Sequence, residues 1–124
     1  MTEIAEEWFE RGRHEIETAK LLFEKEGYPE VILFHIHQAM EKYLKGFLIQ
    51  NGWKLKKIHD LETLLTEAMD FDKEMEKYLD LGRRLTLFYY EERYPPGAPL
   101  SISRGDVEYI LESVEEFIEK LGTT

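Results

Sequence analysis

The sequence predicts an all-α protein, an antiparallel up-and-down bundle of four to five helices, and three observations carry that expectation. Apolar residues recur at helical spacing through most of the 124 positions. No stretch alternates polar and apolar residues for long enough to make a strand. The connections between periodic segments are short, which favours antiparallel neighbours.

The first segment, 3–26, sets Ala5, Trp8, Gly12, Ile16, Ala19, Leu22 and Phe23 along one stripe, with Gly27 placed to supply a left-handed stop. Pro29 suits the first turn of a second helix, 29–51, which Asn51-Gly52 ends. A basic connector from Trp53 to Ile58 leads to Asp60, a cap for a third helix over 60–69. Asp70 or Asp72 caps a fourth, 72–92, whose stripe is Met75, Leu79, Gly82, Leu85 and Phe88 or Tyr89. Pro95-Pro96-Gly97-Ala98-Pro99 breaks it. Ser103 and Asp106 nearly match a capping box for the last helix, where Val107, Ile110, Leu111, Val114, Phe117, Ile118 and Leu121 keep a 3.6-residue period up to Gly122.

Residues 1–124 read as a single domain, large enough to bury a core without a disulfide or metal staple. There is no cysteine, which excludes thiol catalysis and zinc-thiolate sites and suits a reducing compartment. With no secretory leader and no apolar run of about 20 residues, the expectation is a cytoplasmic protein with no membrane role. Abundant Glu and Lys, one Asn and two Gln also fit a thermophilic source. The formal net charge of −10 argues against phosphate backbones as ligands, yet the charge is unevenly spread. Residues 41–60 hold Lys42, Lys45, Lys54, Lys56 and Lys57 against Glu41 and Asp60, and residues 81–94 hold Arg83, Arg84 and Arg93 against Glu91 and Glu92. These two segments would form one basic patch if they met in space.

The run from His37 to Lys45 carries the most chemistry. At about 100° per residue, with His37 at zero, Glu41 falls near 40°, Lys45 near 80°, Gln38 near 100° and Lys42 near 140°. One arc therefore gathers an imidazole, an amide, a carboxylate and two ammonium groups on a helix that is otherwise apolar enough to be covered by protein. Glu41 and Lys45 also form a supporting i,i+4 pair. Two loop motifs accompany the arc. His59-Asp60-Leu61 opens the third helix beside Lys56 and Lys57, and Arg93-Tyr94-Pro95 closes the fourth. Helix N-termini and guanidinium forks favour anions, so a phosphate-bearing ligand is the chemistry these groups share. The candidate ligand-binding residues are His37, Gln38, Glu41, Lys42, Lys45, His59, Asp60, Arg84, Arg93 and Tyr94.

Other constellations drop out. None of the four histidines follows an acidic residue by three positions, so no di-metal carboxylate centre is expected. His35 and His37 diverge by about 200° on a helix and do not share a metal. No glycine-rich phosphate loop or Gly-x-Ser-x-Gly elbow occurs. Neither a metal nor a cofactor is expected.

The chain resembles the HEPN family of small helical domains. The resemblance rests on Trp8 and Ala19 to Leu22, the run from His37 to Lys45, His59-Asp60-Leu61 and Arg93-Tyr94-Pro95, in that order and spacing. It implies a homodimer, often paired with a minimal nucleotidyltransferase, and either nucleotide binding or metal-independent RNA cleavage in toxin-like members. Ribonuclease members carry Arg-x4–6-His on the fourth helix, whereas here Arg84 is followed five residues later by Tyr89, and no histidine follows His59. General acid-base help to a 2′-hydroxyl attack therefore lacks its imidazole. The expectation is a non-catalytic, nucleotide-binding accessory module acting with a nucleotidyltransferase. The alternative is a dimeric interaction module of a toxin-antitoxin-like complex, with RNA cleavage the weakest of the three.

Overall fold

A computed structural model describes residues 2–93 and 102–122, with the backbone alone for 89–93. Five α-helices account for most of them: α1 (Glu3–Glu24), α2 (Pro29–Gln50), α3 (Leu61–Ala68), α4 (Leu79–Arg93) and α5 (Arg104–Leu121). No strand occurs among the described residues. The all-α bundle expected from periodicity is the observed architecture.

Local chemistry starts and stops these helices. Thr2 caps α1 by accepting the Ala5 N–H at 3.0 Å. At the other end the left-handed residue is Glu26 (φ 58°), one position before the glycine that the sequence nominates. The Gly27 N–H reaches back to the Leu22 carbonyl at 2.7 Å, a Schellman closure. A Cβ at Gly27 would lie 3.1 Å from that oxygen, so the glycine serves the close approach and leaves the positive φ to its neighbour.

Helix α2 is the hub, touching α1, α3, α4 and α5. Its apolar residues Ile32, Leu33, Ile36, Ala39, Met40, Tyr43, Leu44 and Leu48 are all buried, and they span most of its circumference. It pairs antiparallel with α1 through two close approaches: Gly12 under the Tyr43 ring and Gly46 under the Phe9 ring.

The sequence predicts one continuous fourth helix over 72–92, and the structure divides it. Asp72 accepts the Glu74 N–H at 3.0 Å and starts a 3₁₀ turn, Lys73–Tyr78, before α4 begins at Leu79. Three residues per turn eclipse positions i and i+3. Met75 and Tyr78 can thus both reach the core, where Tyr78 meets Phe117 of α5 edge-on at 5.0 Å.

Helix α5 has the expected capping box, with Ser103 and Asp106 exchanging bonds of 3.0 and 3.1 Å, and it ends at left-handed Gly122 (φ 67°). The Arg104 guanidinium lies 3.8 Å over the Phe23 ring and ties the start of α5 to the end of α1.

Candidate functional site

The polar arc of α2 exists, and it is folded inward. His37, Glu41 and Lys45 are the buried polar side chains among the described residues. Lys45 Nζ donates to Glu41 Oε2 at 3.0 Å and lies 5.2 Å from the centre of the Trp8 ring, so the ammonium is held between a carboxylate and an aromatic face. His59 closes the same carboxylate from outside, its Nδ1 2.8 Å from Glu41 Oε2. One buried carboxylate therefore joins α2 to the loop that precedes α3.

A second carboxylate takes Lys42, the other ammonium of the arc. Glu15 of α1 takes Lys42 Nζ on one oxygen and His35 Nδ1 on the other, each at 2.9 Å. Burial alone would raise the Glu15 pKa, but the hydrogen bonds from Lys42 and His35 outweigh it and hold the carboxyl below its ordinary range. Gln38 is half-buried on the same helix. Burial also pushes His37 down to about 4, against the pull of Glu41 and Asp60, so this imidazole is neutral at pH 7.

Asp60 caps α3, accepting the Thr63 N–H at 3.2 Å and the Thr63 hydroxyl at 2.6 Å. The connector ahead of it is fastened by Glu67, which accepts from Trp53 Nε1 at 2.9 Å and from Lys56 Nζ at 3.1 Å. Of its other cations, Lys54 and Lys57 are exposed.

The fourth-helix cations go elsewhere. Arg83 pairs with Glu62 of α3 at 2.8 Å, and Arg84 lies 5.8 Å from the centre of the Tyr109 ring on α5. Both line an open groove of about 1390 Å³ between α4 and α5, together with Lys77, Leu87, Glu116 and Lys120. The described parts of the two basic segments thus face different surroundings: Lys42 and Lys45 the α1–α2 side, Arg84 the α4–α5 side. Tyr94 lies outside the described residues, as does the side chain of Arg93, whose backbone ends α4.

Sequence reasoning missed Glu15, Tyr109, Lys77 and Lys120. A helical wheel drawn for one segment carries no information about the groups a facing helix supplies. Among the described residues no His, Asp or Glu cluster is arranged to hold a metal ion. No described helix is long and apolar enough to cross a membrane.

The family model for the HEPN domain matches residues 5–123, nearly the whole chain. The chain belongs to the HEPN family. No curated protein and no solved structure matches it closely enough to add a relative. In this HEPN domain the run from His37 to Lys45 sits at the centre of the bundle, with its cations already in the hands of carboxylates.

Proposed function

We propose that this HEPN domain is a non-catalytic interaction module that pairs with a second copy of itself through the α4–α5 groove and serves as the companion of a minimal nucleotidyltransferase. The groove is the observation that carries the pairing. Its volume of about 1390 Å³ exceeds the roughly 300–1,000 Å³ usual for small-molecule pockets. Leu87 and Tyr109 are large side chains left more than half exposed in it, beside Arg84. Aromatic residues and arginine are the types enriched in protein interfaces.

Charge supports a self-complementary pairing. In charge, the α4 wall carries Arg83, held by Glu62, and Arg84 against Asp80, and the α5 wall carries Glu116 and Glu119 against Lys120. A two-fold axis running along the groove would set each net-cationic α4 wall against the net-acidic α5 wall of the other copy. Light scattering tests this with Leu87→Asp and Tyr109→Asp. The wild type is expected to be a dimer, and each variant to weaken it by roughly thirtyfold or more, the scale of an interface hot spot. Unchanged helical circular dichroism would show that the fold survives. A monomeric wild type would overturn the proposal.

Nucleotide binding is the second reading, favoured by one specific contact. The Arg84 guanidinium over Tyr109 places a phosphate-binding fork beside an exposed ring, with Lys77 in the same groove. Calorimetric titration with ATP and GTP, repeated on Arg84→Ala, separates the readings. Saturable binding lost in the variant supports a ligand groove, and no heat at millimolar nucleotide removes it.

A further inference from the structure

Four histidines lie within the described residues, and only one joins an open ring to a buried anchor. His14 is exposed but its Nε2 faces Glu10 at 3.2 Å on the surface. His35 is largely covered and held by Glu15, and His37 is sealed in the core. The His59 side chain is 71% exposed, yet its Nδ1 reaches the Glu41 carboxylate, whose side chain is 6% exposed.

That contact fixes a tautomer. Glu41 also accepts from the Lys45 ammonium at 3.0 Å, and a carboxylate only accepts hydrogen bonds. The His59 proton must then sit on Nδ1. The Nε2 lone pair is left pointing away from the anchor on an exposed ring. Lys57 is exposed two residues earlier, and the N-terminal turn of α3, already capped by the Asp60 carboxylate, begins two residues later. His59 lines neither the α4–α5 groove nor the small pocket around Phe23 and Arg104. An exposed nucleophile suits transfer of a group onto itself.

We propose that His59 is a phosphoryl-acceptor histidine, with Nε2 as the nucleophile and Glu41 as its positioning residue. In the step, the Nε2 lone pair forms a bond to phosphorus of an amido or acyl phosphate. The bond from phosphorus to the donor's bridging nitrogen or oxygen breaks, and its electron pair leaves with that atom. The Nδ1 proton stays in place, so the phosphorylated ring carries a positive charge that faces the Glu41 carboxylate. Lys45 holds that carboxylate ready without touching the ring's reacting nitrogen.

Phosphoramidate is the probe, with intact mass, peptide mapping and phosphorus NMR as readouts. The full chain is expected to gain one phosphoryl group, on Nε2 of His59, well ahead of His14, whose side chain is nearly as exposed at 62%, and His59→Asn to lose it. Glu41→Gln is expected to slow the labelling by roughly ten- to a hundredfold, the scale on which a metal-ligating histidine suffers from losing its orienting partner. Labelling of His14 and His59 at equal rates, or a folded Glu41→Gln chain that labels at the wild-type rate, overturns the proposal. Nitrogen-15 NMR of the wild type supplies an arm that needs no variant. The Nδ1–H tautomer at His59 supports the assignment, and the Nε2–H tautomer defeats it.

Discussion

The ammonium of Lys45 lies 3.0 Å from the carboxylate of Glu41, one helical turn away, and both side chains are almost sealed from water. At a helix surface such a pair contributes only about 0.2–0.5 kcal/mol. Inside a bundle the balance changes, because each charge has lost its hydration and depends on the other. Removing one partner leaves the other buried with one lesser contact, His59 for Glu41 and the Trp8 ring for Lys45. Lys45→Ala and Glu41→Ala are each expected to lower unfolding stability by about 3–5 kcal/mol in urea titrations. The double variant Glu41→Leu, Lys45→Met should recover much of that loss, since a buried pair replaced by apolar groups of similar size is often neutral. Losses in the double variant equal to the sum of the singles would show that the pair is not coupled.

Gly46 and Phe9 make a second, purely steric prediction. A Cβ built at Gly46 would stand 2.7 Å from Phe9 Cε1, and the ring cannot swing away easily because it also packs at 5.9 Å against Tyr43. Replacing a mid-helix glycine by alanine ordinarily gains about 1 kcal/mol of helix propensity. Overpacking costs about 1–3 kcal/mol, so the clash is expected to win and Gly46→Ala to destabilise. Thermal melts of Gly46→Ala in wild-type and Phe9→Leu backgrounds check this. The alanine should be tolerated better, or stabilise, once the ring is gone.

Elements whose determinants lie within their own residues were legible in the sequence. Helix α5 is the clearest case: its capping box, its stripe from Val107 to Ile118 and its glycine stop all belong to one short segment. The 3₁₀ turn was not legible, because what favours it is the docking of Met75 and Tyr78 in a core that α5 completes. The same division holds at the site. The arc from His37 to Lys45 followed from helical spacing. Its neutralisation did not, since Glu15 stands 27 residues from Lys42 and 20 from His35, on another helix. Position along a helix can be read locally, whereas charge pairing between helices needs the tertiary register.

Asp60 links fold to site, and its loss should separate the two. Its side chain caps α3 through Thr63, and the residue immediately before it is His59. Asp60→Ala is expected to cost about 1 kcal/mol of stability, the usual price of a lost N-cap, with Asp60→Asn close to wild type. Hydrogen exchange localises the effect. Amides of α3 should lose protection in Asp60→Ala while those of α5 keep it, and uniform loss across both helices would contradict a local capping role.

His37 gives the bundle a pH dependence of definite sign. Its pKa is near 4 in the folded chain and ordinarily 6.5, chiefly because burial penalises the charged ring. Between those values the unfolded chain binds the extra proton, so stability rises with pH. The contribution is complete above pH 6.5 and fades as pH falls toward 4, amounting to a total on the order of 3 kcal/mol. Glu15 does not blur the upper part of this window. Its carboxyl sits below the ordinary range, so its stabilisation is lost only once pH falls below the usual carboxylate value and on through that lowered one. Urea titrations in closely spaced buffers from about pH 7 down to about pH 5 should therefore show stability falling by up to about 1.4 kcal/mol per pH unit. His37→Leu should flatten that slope whatever it does to absolute stability. A slope that survives the substitution would assign the titration to another group.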